Sequence, residues 1–249
     1  MSGMTSIIIP TYNGLQLLQN AVAAVRLYTD PVQTPFEIIV VDNGSGDGTA
    51  AWCVREGVTC VSVARNTGFP TACNKGMRAA NGDYFLLLNN DVTVSYGWLH
   101  GLRQALDGSA DAGIVGPVTN YASGRQQVDH PFETMDDFHR IAADVFVRDA
   151  RAHEPILRLV GFCMLFPRTL YERIGELDER FSPGHYEDDD YCFRARMHGF
   201  SLLMCRNVFV HHQGSVSFKR NGAQEVSQLV ERNRALFIAK WQVDPANFM

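Results

Sequence analysis

Residues 84–94 read YFLLLNNDVTV, and the reading of this stretch decides the fold. Tyr84 to Leu88 is an unbroken apolar run, the pattern of a strand covered on both faces in the middle of a parallel sheet. It stops abruptly at Asn89, Asn90 and Asp91. Asn and Asp are good turn residues, which is the plain reading of such an ending. The functional reading starts from position: open α/β sheets hold their ligands where central strands leave the sheet, so Asp91 would face one.

The segments upstream repeat the arrangement. Thr5–Pro10 (TSIIIP) reads as a buried strand closed by Pro10, which has no N–H for a ladder. Leu15, Leu18, Val22 and Val25 then recur at helical spacing. Phe36–Val41 is a second buried strand, followed by the glycine-rich DNGSGDGT (42–49). That turn lacks the lysine of a P-loop and the order of a GxGxxG fingerprint, so its glycines read as a flexible strand-to-helix turn. Asp42 stands apart, as a second carboxylate at the end of a second buried strand. A third strand is expected over Val58–Ala64, followed by RNTGFPTACNKG (65–76). There Gly68 permits a tight bend, Pro70 suits a first helical turn, and Arg65 and Lys75 bring positive charge to the same edge. Strands alternating with helices imply right-handed βαβ units.

Downstream, a helix is expected near Tyr96–Leu106 and a strand at Ile114–Pro117. Residues 119–158 are polar and poorly periodic, an excursion over the active face with one helix at Met135–Phe146. Leu159–Phe166 returns to the core as a strand, and Pro167–Ile174 makes a short helix. A further helix opens near Glu187. Its macrodipole accounts for one or two of the acids Glu187, Asp188, Asp189 and Asp190. Four in a row repel one another and call for a cation or a raised pKa. After a strand at Ser201–Val210, His211 and His212 begin a loop running to Ser217. A histidine pair at a strand end, in a chain with strand-end carboxylates, suits a divalent metal. From Gln224 onward, Val226, Leu229, Val230, Leu236, Phe237 and Trp241 mark an amphipathic helix expected to pack on the body.

Composition narrows the class. A chain of 249 residues, 46% hydrophobic and 20% charged, suits one large α/β domain. The net charge of -5 argues against a general nucleic-acid binder. No apolar run approaches the roughly 18 residues of a membrane span, and Ile7–Ile9 is too short for a signal peptide. The 6 cysteines form no CxxC pair and read as reduced, mostly buried thiols of a cytosolic protein.

Taken in order, IIIPTYNG (7–14), EIIVVDNGSGDGT (37–49), RNTGFPTACNKG (65–76), DYFLLLNNDV (83–92), GELDERF (175–181), YEDDDYCFRARMHGF (186–200) and VHHQGS (210–215) resemble the family 2 glycosyltransferases. The likeness is greatest to bacterial members that build rhamnose-containing or O-antigen-type polysaccharides, and it covers residues 5 to about 217. It implies the GT-A fold: α/β, with a single Rossmann-like, mostly parallel central sheet flanked by helices, an acceptor-side excursion and a C-terminal amphipathic helix. Residues 1–118 would be the nucleotide-sugar half, 119–217 the acceptor and catalytic half, and 218–249 a helical extension packed on the same domain.

The resemblance also implies roles. Pro10, Thr11, Tyr12, Asn13 and Asp42 would hold the nucleotide's base and ribose. Arg65, Asn66, Gly68, Asn74, Asn89 and Asn90 would lie along the nucleotide and donor sugar. Asp91 matches the metal-binding carboxylate of the DxD region, with Asn89 where the strict motif has its first acid. His212 would complete the metal site, with His211 as the fallback. Asp188 matches the catalytic base of the ED pair, and Glu187, Asp190 and His185 would face the acceptor. The implied cofactor is Mn²⁺ or Mg²⁺. The implied partners are a UDP- or dTDP-sugar and a glycan or lipid-linked glycan, in inverting transfer at the cytoplasmic face of the membrane. Lys219, Arg220, Arg232, Arg234 and Lys240 would help the C-terminal helix touch the inner membrane surface. The rivals are transfer to a peptide side chain and a non-catalytic glycan-binding protein on the same fold. A nucleotidyltransferase is disfavoured, because IIIPTYNGLQLL carries no Arg or Lys for a triphosphate.

Overall fold

The apolar runs of the first half pair in parallel in this computed structural model, which describes residues 3–148, 152–214 and 222–248. Strand β1 (Thr5–Thr11) lies between β2 (Phe36–Asp42) and β4 (Tyr84–Leu88), and β3 (Thr59–Ser62) adds outside β2. The register sets Thr11 beside Asp42 and Asp42 beside Ser62, so the carboxyl ends of β1, β2 and β3 are level. Helices α1 (Leu15–Tyr28), α2 (Thr49–Glu56) and α3 (Phe69–Ala79) make the returns.

Both faces of the sheet are covered, which explains why YFLLL is apolar at every position. Leu86 and Leu88 join a core with α1, α2 and the next helix, α4 (Trp98–Asp107). Phe85 and Leu87 face the other core, with α3 and residues from the second half. The chain approaches itself closely there: a Cβ on Gly76 of α3 would come within 2.3 Å of Ile8 Cγ2 on β1.

The second half extends the sheet. Strand β6 (Ala112–Thr119) runs in the direction of β4, but the two are separated by β8 (Cys163–Pro167), antiparallel to both. Next comes β9 (Ser201–His212), parallel to β6. Two short strands, β5 (Val92–Thr93) and β7 (His153–Ile156), lie antiparallel to β9. The sheet is mostly parallel, as the pattern implied. Helix α5 (Met135–Arg148) crosses β9, and α6 (Arg168–Ile174) leads to α7 (Glu187–Met197). Finally α8 (Ala223–Trp241) forms a satellite core, with Phe237 against Phe181 and Tyr186.

Several boundaries differ from the sequence expectation for local reasons. The strand expected over Val58–Ala64 starts later, because the Val58 N–H closes the end of α2 on Cys53 O at 3.0 Å. The strand expected from Leu159 starts only at Cys163. The N–H groups of Leu159, Val160 and Gly161 are taken instead by Cys192 Sγ, Gln126 Oε1 and Asp188 Oδ2. With Leu157 and Arg158 before them, these residues form a strap over the sheet's end (157–161). His211 and His212 are not in a loop: they finish β9, held by its pairing with β5. Ser215–Ser217, like Lys219 and Arg220, lie outside the described residues. No helix among the described residues is long and apolar enough to cross a membrane.

Candidate active site

Where β1, β2 and β4 leave the sheet, the strap and the approach to α7 close a cleft of about 680 Å³. Asn90, just past β4, donates from Nδ2 to Thr11 Oγ1 at 2.8 Å and ties the ends of two central strands together. Asn89 lines the cleft, and its N–H bonds the carbonyl of Phe162, the residue after the strap, at 2.9 Å.

Pairing of Val92 with His212 brings the next residue, Asp91, to the histidine ring. His212 Nε2 lies 3.3 Å from Asp91 Oδ1, both groups being largely buried. The other ring nitrogen, Nδ1, is 2.9 Å from Tyr121 O. A carbonyl only accepts, so Nδ1 carries a proton, and Nε2 is the ring nitrogen turned to the carboxylate. Phe162 stacks on the ring at 5.2 Å, and the Asn120 side chain bonds both the N–H and the C=O of His212. This fits a divalent cation: an imidazole lone pair and a carboxylate oxygen, held rigidly about as far apart as adjacent ligands with bonds of ~2.1 Å. Among the described residues no set of three or more His, Cys, Asp and Glu groups could hold a metal, so such an ion would draw its other ligands from water or substrate. His211 does not serve as the fallback ligand. One position along the strand faces the other way, and its ring packs on Phe132 and Phe138, centroids 5.2 and 5.8 Å away.

Pro10, Thr11, Tyr12, Asn66 and Gly68 line another part of the cleft, with Tyr12 41% exposed at the surface. Asn43 was not foreseen, and it organises this wall. Its Nδ2 donates to Asn66 Oδ1 (2.9 Å) and Gly68 O (3.1 Å), while its Oδ1 accepts from Thr67 N (3.0 Å). Its place directly after Asp42 at a strand end was the available signal. Asp42 itself is off the wall, accepting from Ser45 N at 3.0 Å. Asn13 latches the two loops, its Oδ1 accepting from Gly46 N at 2.8 Å. Arg65 is exposed beside Gly44 and does not line the cleft. Asn74 is also off the wall: it is fully buried, and its amide bonds both the N–H and C=O of Leu177 at 2.9 Å.

The acidic run opens α7 as expected, and the structure sorts its members. Asp188 lines the cleft with its carboxylate held by two backbone donors, Gly161 N on Oδ2 (2.8 Å) and Asp189 N on Oδ1 (2.9 Å). Gly161 allows this approach, since a Cβ there would sit 3.3 Å from Asp188 Cβ. Asp189 pairs with Arg158 of the strap, which also reaches Ser123 Oγ at 2.9 Å. Burial and the neighbouring Asp188 push the Asp189 carboxyl up to about 7, against the pull of Arg158. Burial opposes the Arg158 charge, but Asp189 and Asp188 outweigh it and hold the guanidinium above its usual pKa. Glu187 is raised well above the ordinary range by burial and then by Asp188, and its Oε2 has no hydrogen-bond partner among the described residues. His185 lines the cleft, with its pKa lowered by burial.

Asp190 departs from the expectation. It is fully buried away from the cleft, bonded to Lys240 Nζ (2.5 Å), Trp241 Nε1 (2.8 Å) and Arg194 Nε (2.9 Å). The helix period carries it to the α8 side, where it docks the C-terminal helix. Three of the basic residues expected at a membrane are engaged within the chain: Lys240 with Asp190, Arg234 with Asp244, and Arg232 with Ser182 O.

Just before α7, His185 and Tyr186 both adopt left-handed backbone, φ 71° and 72°. Such conformations cost non-glycine residues about 1–3 kcal/mol each and persist only where their surroundings enforce them. The fully buried Asn233 of α8 supplies that restraint, sharing its two Nδ2 hydrogens among the carbonyls of Phe181 (2.8 Å), Gly184 (2.8 Å) and His185 (2.9 Å).

This architecture is the GT-A fold of glycosyltransferases. A mannosyltransferase from Pyrobaculum calidifontis, solved with GDP-Man and Mn²⁺, superposes with a TM-score of 0.66 at 20% identity, over 92% of this chain and 63% of that one. At that identity the likeness is one of fold alone. Sequence comparison narrows the class. The profile of Glycosyl transferase family 2 matches residues 6–175, and the chain belongs to that family. Its relatives include the low-salt glycan biosynthesis hexosyltransferase Agl10 of Haloferax volcanii, 26% identical over 80% of this chain and 66% of that protein. Another is the N-acetylglucosaminyl-diphospho-decaprenol L-rhamnosyltransferase of Mycobacterium tuberculosis, 24% identical over 96% and 84%. The chain thus spans just under two thirds of the haloarchaeal relative and of the mannosyltransferase.

Proposed function

We propose that this protein is an inverting, metal-dependent glycosyltransferase, moving a sugar from a UDP- or dTDP-sugar to a hydroxyl of a glycan or lipid-linked glycan in surface polysaccharide synthesis. The observation that carries the reading is the sharing of one cleft by the Asp91–His212 pair and the backbone-anchored Asp188 carboxylate. The relatives named for hexosyl and rhamnosyl transfer support the chemistry, and the second supports a lipid-diphosphate-linked acceptor.

Asp91 and His212 would hold Mn²⁺ or Mg²⁺, and an imidazole ligand favours Mn²⁺. The bound cation supplies charge compensation for the departing nucleoside diphosphate. Thr11, Tyr12, Asn66 and Gly68 would receive the nucleotide, with Asn43 holding the shape of that wall. Asp188 is the base. Its carboxylate takes the proton of the acceptor hydroxyl as that oxygen bonds the anomeric carbon and the bond to the diphosphate breaks. A single displacement inverts the centre and needs no covalent enzyme intermediate. The two backbone N–H groups on Asp188 lock its rotamer, so the base arrives aligned.

Thermal unfolding with UDP, dTDP, GDP and CMP, each with and without Mn²⁺, tests the donor half of the proposal. A nucleotide at 100 times its Kd stabilises by roughly 2.7 kcal/mol. The expected result is a Mn²⁺-dependent rise in Tm with UDP or dTDP; no rise with any of the four overturns the reading.

A further inference from the structure

The C-terminal helix lies outside the segment matched by the family profile, yet its side chains reach the turn of the cleft that holds two successive left-handed residues. The geometry points to Asn233 as a positioning residue that aims Asp188 by pinning the two peptide planes on either side of His185. The inference rests on the role of Asp188 as base.

The argument runs through the backbone. The carbonyls of Gly184 and His185 belong to the peptides before and after His185, and both accept from the same Asn233 Nδ2, at 2.8 and 2.9 Å. Those planes set φ and ψ of His185 and hold one side of the φ torsion of Tyr186, the two left-handed residues. The Tyr186 carbonyl then accepts from Asp190 N at 2.9 Å as the first bond of α7, and Asp188 sits within that turn. A rotation at His185 or Tyr186 therefore swings the first turn of the helix, and the Asp188 carboxylate with it.

The orientation of the Asn233 amide is determined by its partners. Three carbonyls only accept, so Nδ2 faces them, and Oδ1 accepts from Arg232 Nε at 2.9 Å. The Arg232 guanidinium bonds Ser182 O of the same turn. Glycine, the residue that takes left-handed backbone freely, occupies neither 185 nor 186. The chain uses side chains that line the cleft at both positions and has the tertiary contact enforce the backbone.

The test compares Asn233→Ala and Asn233→Asp with wild type in full-length protein. The Asp variant keeps the shape but turns an acceptor toward three acceptors. The expected result is a fall in kcat of roughly 10–100-fold, the order of effect of misplacing a catalytic group by about 1 Å. Calorimetric affinity for UDP or dTDP with Mn²⁺ should change less than about threefold, because the Asn233 amide bonds the turn before α7 and not Thr11, Tyr12, Asn66 or Gly68. A role confined to stability would lower Tm and leave the kcat of the folded fraction unchanged, and that result overturns the inference. Should either variant fail to fold, Asn233→Ser and Arg232→Ala carry the test through hydrogen exchange. Amides of residues 184–190 should then exchange at least about tenfold faster, while those of β4 do not change. Unchanged exchange across 184–190 overturns the inference in that arm as well. If wild type transfers no sugar from any donor, the proposed function fails by itself, and the exchange experiment still decides whether Asn233 holds the turn.

Discussion

Replacing Asp188 with Asn separates the proposed base from everything around it. The side chains are isosteric, so the cleft keeps its shape. The two oxygens of Asp188 each accept from a backbone N–H, Gly161 N at 2.8 Å and Asp189 N at 2.9 Å. An amide offers one acceptor and one NH₂, so one of these N–H groups loses its bond and meets a donor. That penalty is about 1–3 kcal/mol, a fraction of the roughly 5–15 kcal/mol that holds a domain folded. The variant should therefore fold with a lowered Tm. Removal of a general base costs about 10²–10⁴ in rate, or roughly 2.7–5.5 kcal/mol of barrier. Transfer, followed by release of nucleoside diphosphate from the donor that wild type uses, should fall by that factor. Calorimetric affinity for the nucleotide with Mn²⁺ should stay within about threefold, since the residues of the nucleotide wall are untouched. Wild-type turnover in Asp188→Asn would falsify the assignment of the base. Loss of nucleotide binding would refute the separation of the two halves.

Asp91→Ala and His212→Ala should each remove most of the gain in nucleotide affinity that Mn²⁺ confers, by tenfold or more at ~1.4 kcal/mol per decade, with metal-free affinity unchanged; an intact Mn²⁺ effect in both variants places the ion elsewhere. Glu187 and Asp189 have pKa values raised in the folded state, so the stability tied to their protonation is full below the unfolded carboxylate range and is lost as pH rises through the folded pKa, about 7 for Asp189. Wild type should thus lose stability between about pH 4 and 8, and Glu187→Gln, neutral throughout, should flatten that slope; an identical Tm-against-pH curve for the two refutes the buried-acid reading. Gly76→Ala drives a Cβ to 2.3 Å from Ile8 Cγ2 and should destabilise by about 1–3 kcal/mol through overpacking, visible as a Tm drop of several degrees; an unchanged Tm means that α3 can shift off β1.

The fold was legible because its core strands are apolar on both faces and each ends in a sharp polar break. Unbroken apolar runs placed β1, β2 and β4, and helical spacing placed α1. Two strands escaped because they carry almost no pattern. β5 is only Val92–Thr93, and β7 is His153–Ile156 in a polar excursion. Both exist because β9 offers them an edge, a fact of tertiary pairing that no local window contains. Missing β5 also hid why His212 rather than His211 meets Asp91, since pairing and strand alternation decide it together. In the site, four residues named from strand-end motifs, Thr11, Asn89, Asn90 and Asp91, line the cleft or tie its floor, whereas Asp42 at the end of β2 does not. Asn74 and Asp190 were misjudged. Each occupies a helix within a site-like motif, and only the packing of the helix reveals that its polar group is spent on internal partners.

The run Glu187-Asp188-Asp189-Asp190 poses a charge problem that the fold resolves differently at each position. Asp190 turns inward to meet Lys240 across the interface with α8 and Arg194 one turn along its own helix, so its charge is neutralised by structure. Asp189 takes Arg158 from the strap. Glu187 has no cation in contact among the described residues, and its burial instead favours the neutral acid. Asp188 alone is given hydrogen-bond donors and a place on the cleft wall without a direct ion-pair partner among the described contacts. A carboxylate tightly paired with Arg would be a poor proton acceptor, because the pairing stabilises the charged form that protonation must remove. The sequence therefore uses three of its four acids to build the surroundings of the fourth. Two of the elements that do this, the strap at 157–161 and helix α8, come from parts of the chain whose sequence carries no motif of its own. That predicts an asymmetry: Arg158→Ala should impair transfer through loss of the Asp189 pair, with nucleotide affinity unchanged, whereas Arg65→Ala, exposed and off the wall, should leave both transfer and folding as they are. Equal effects of the two substitutions on kcat would mean that the strap's cation does not shape the site, and that the acidic run is relieved in some other way.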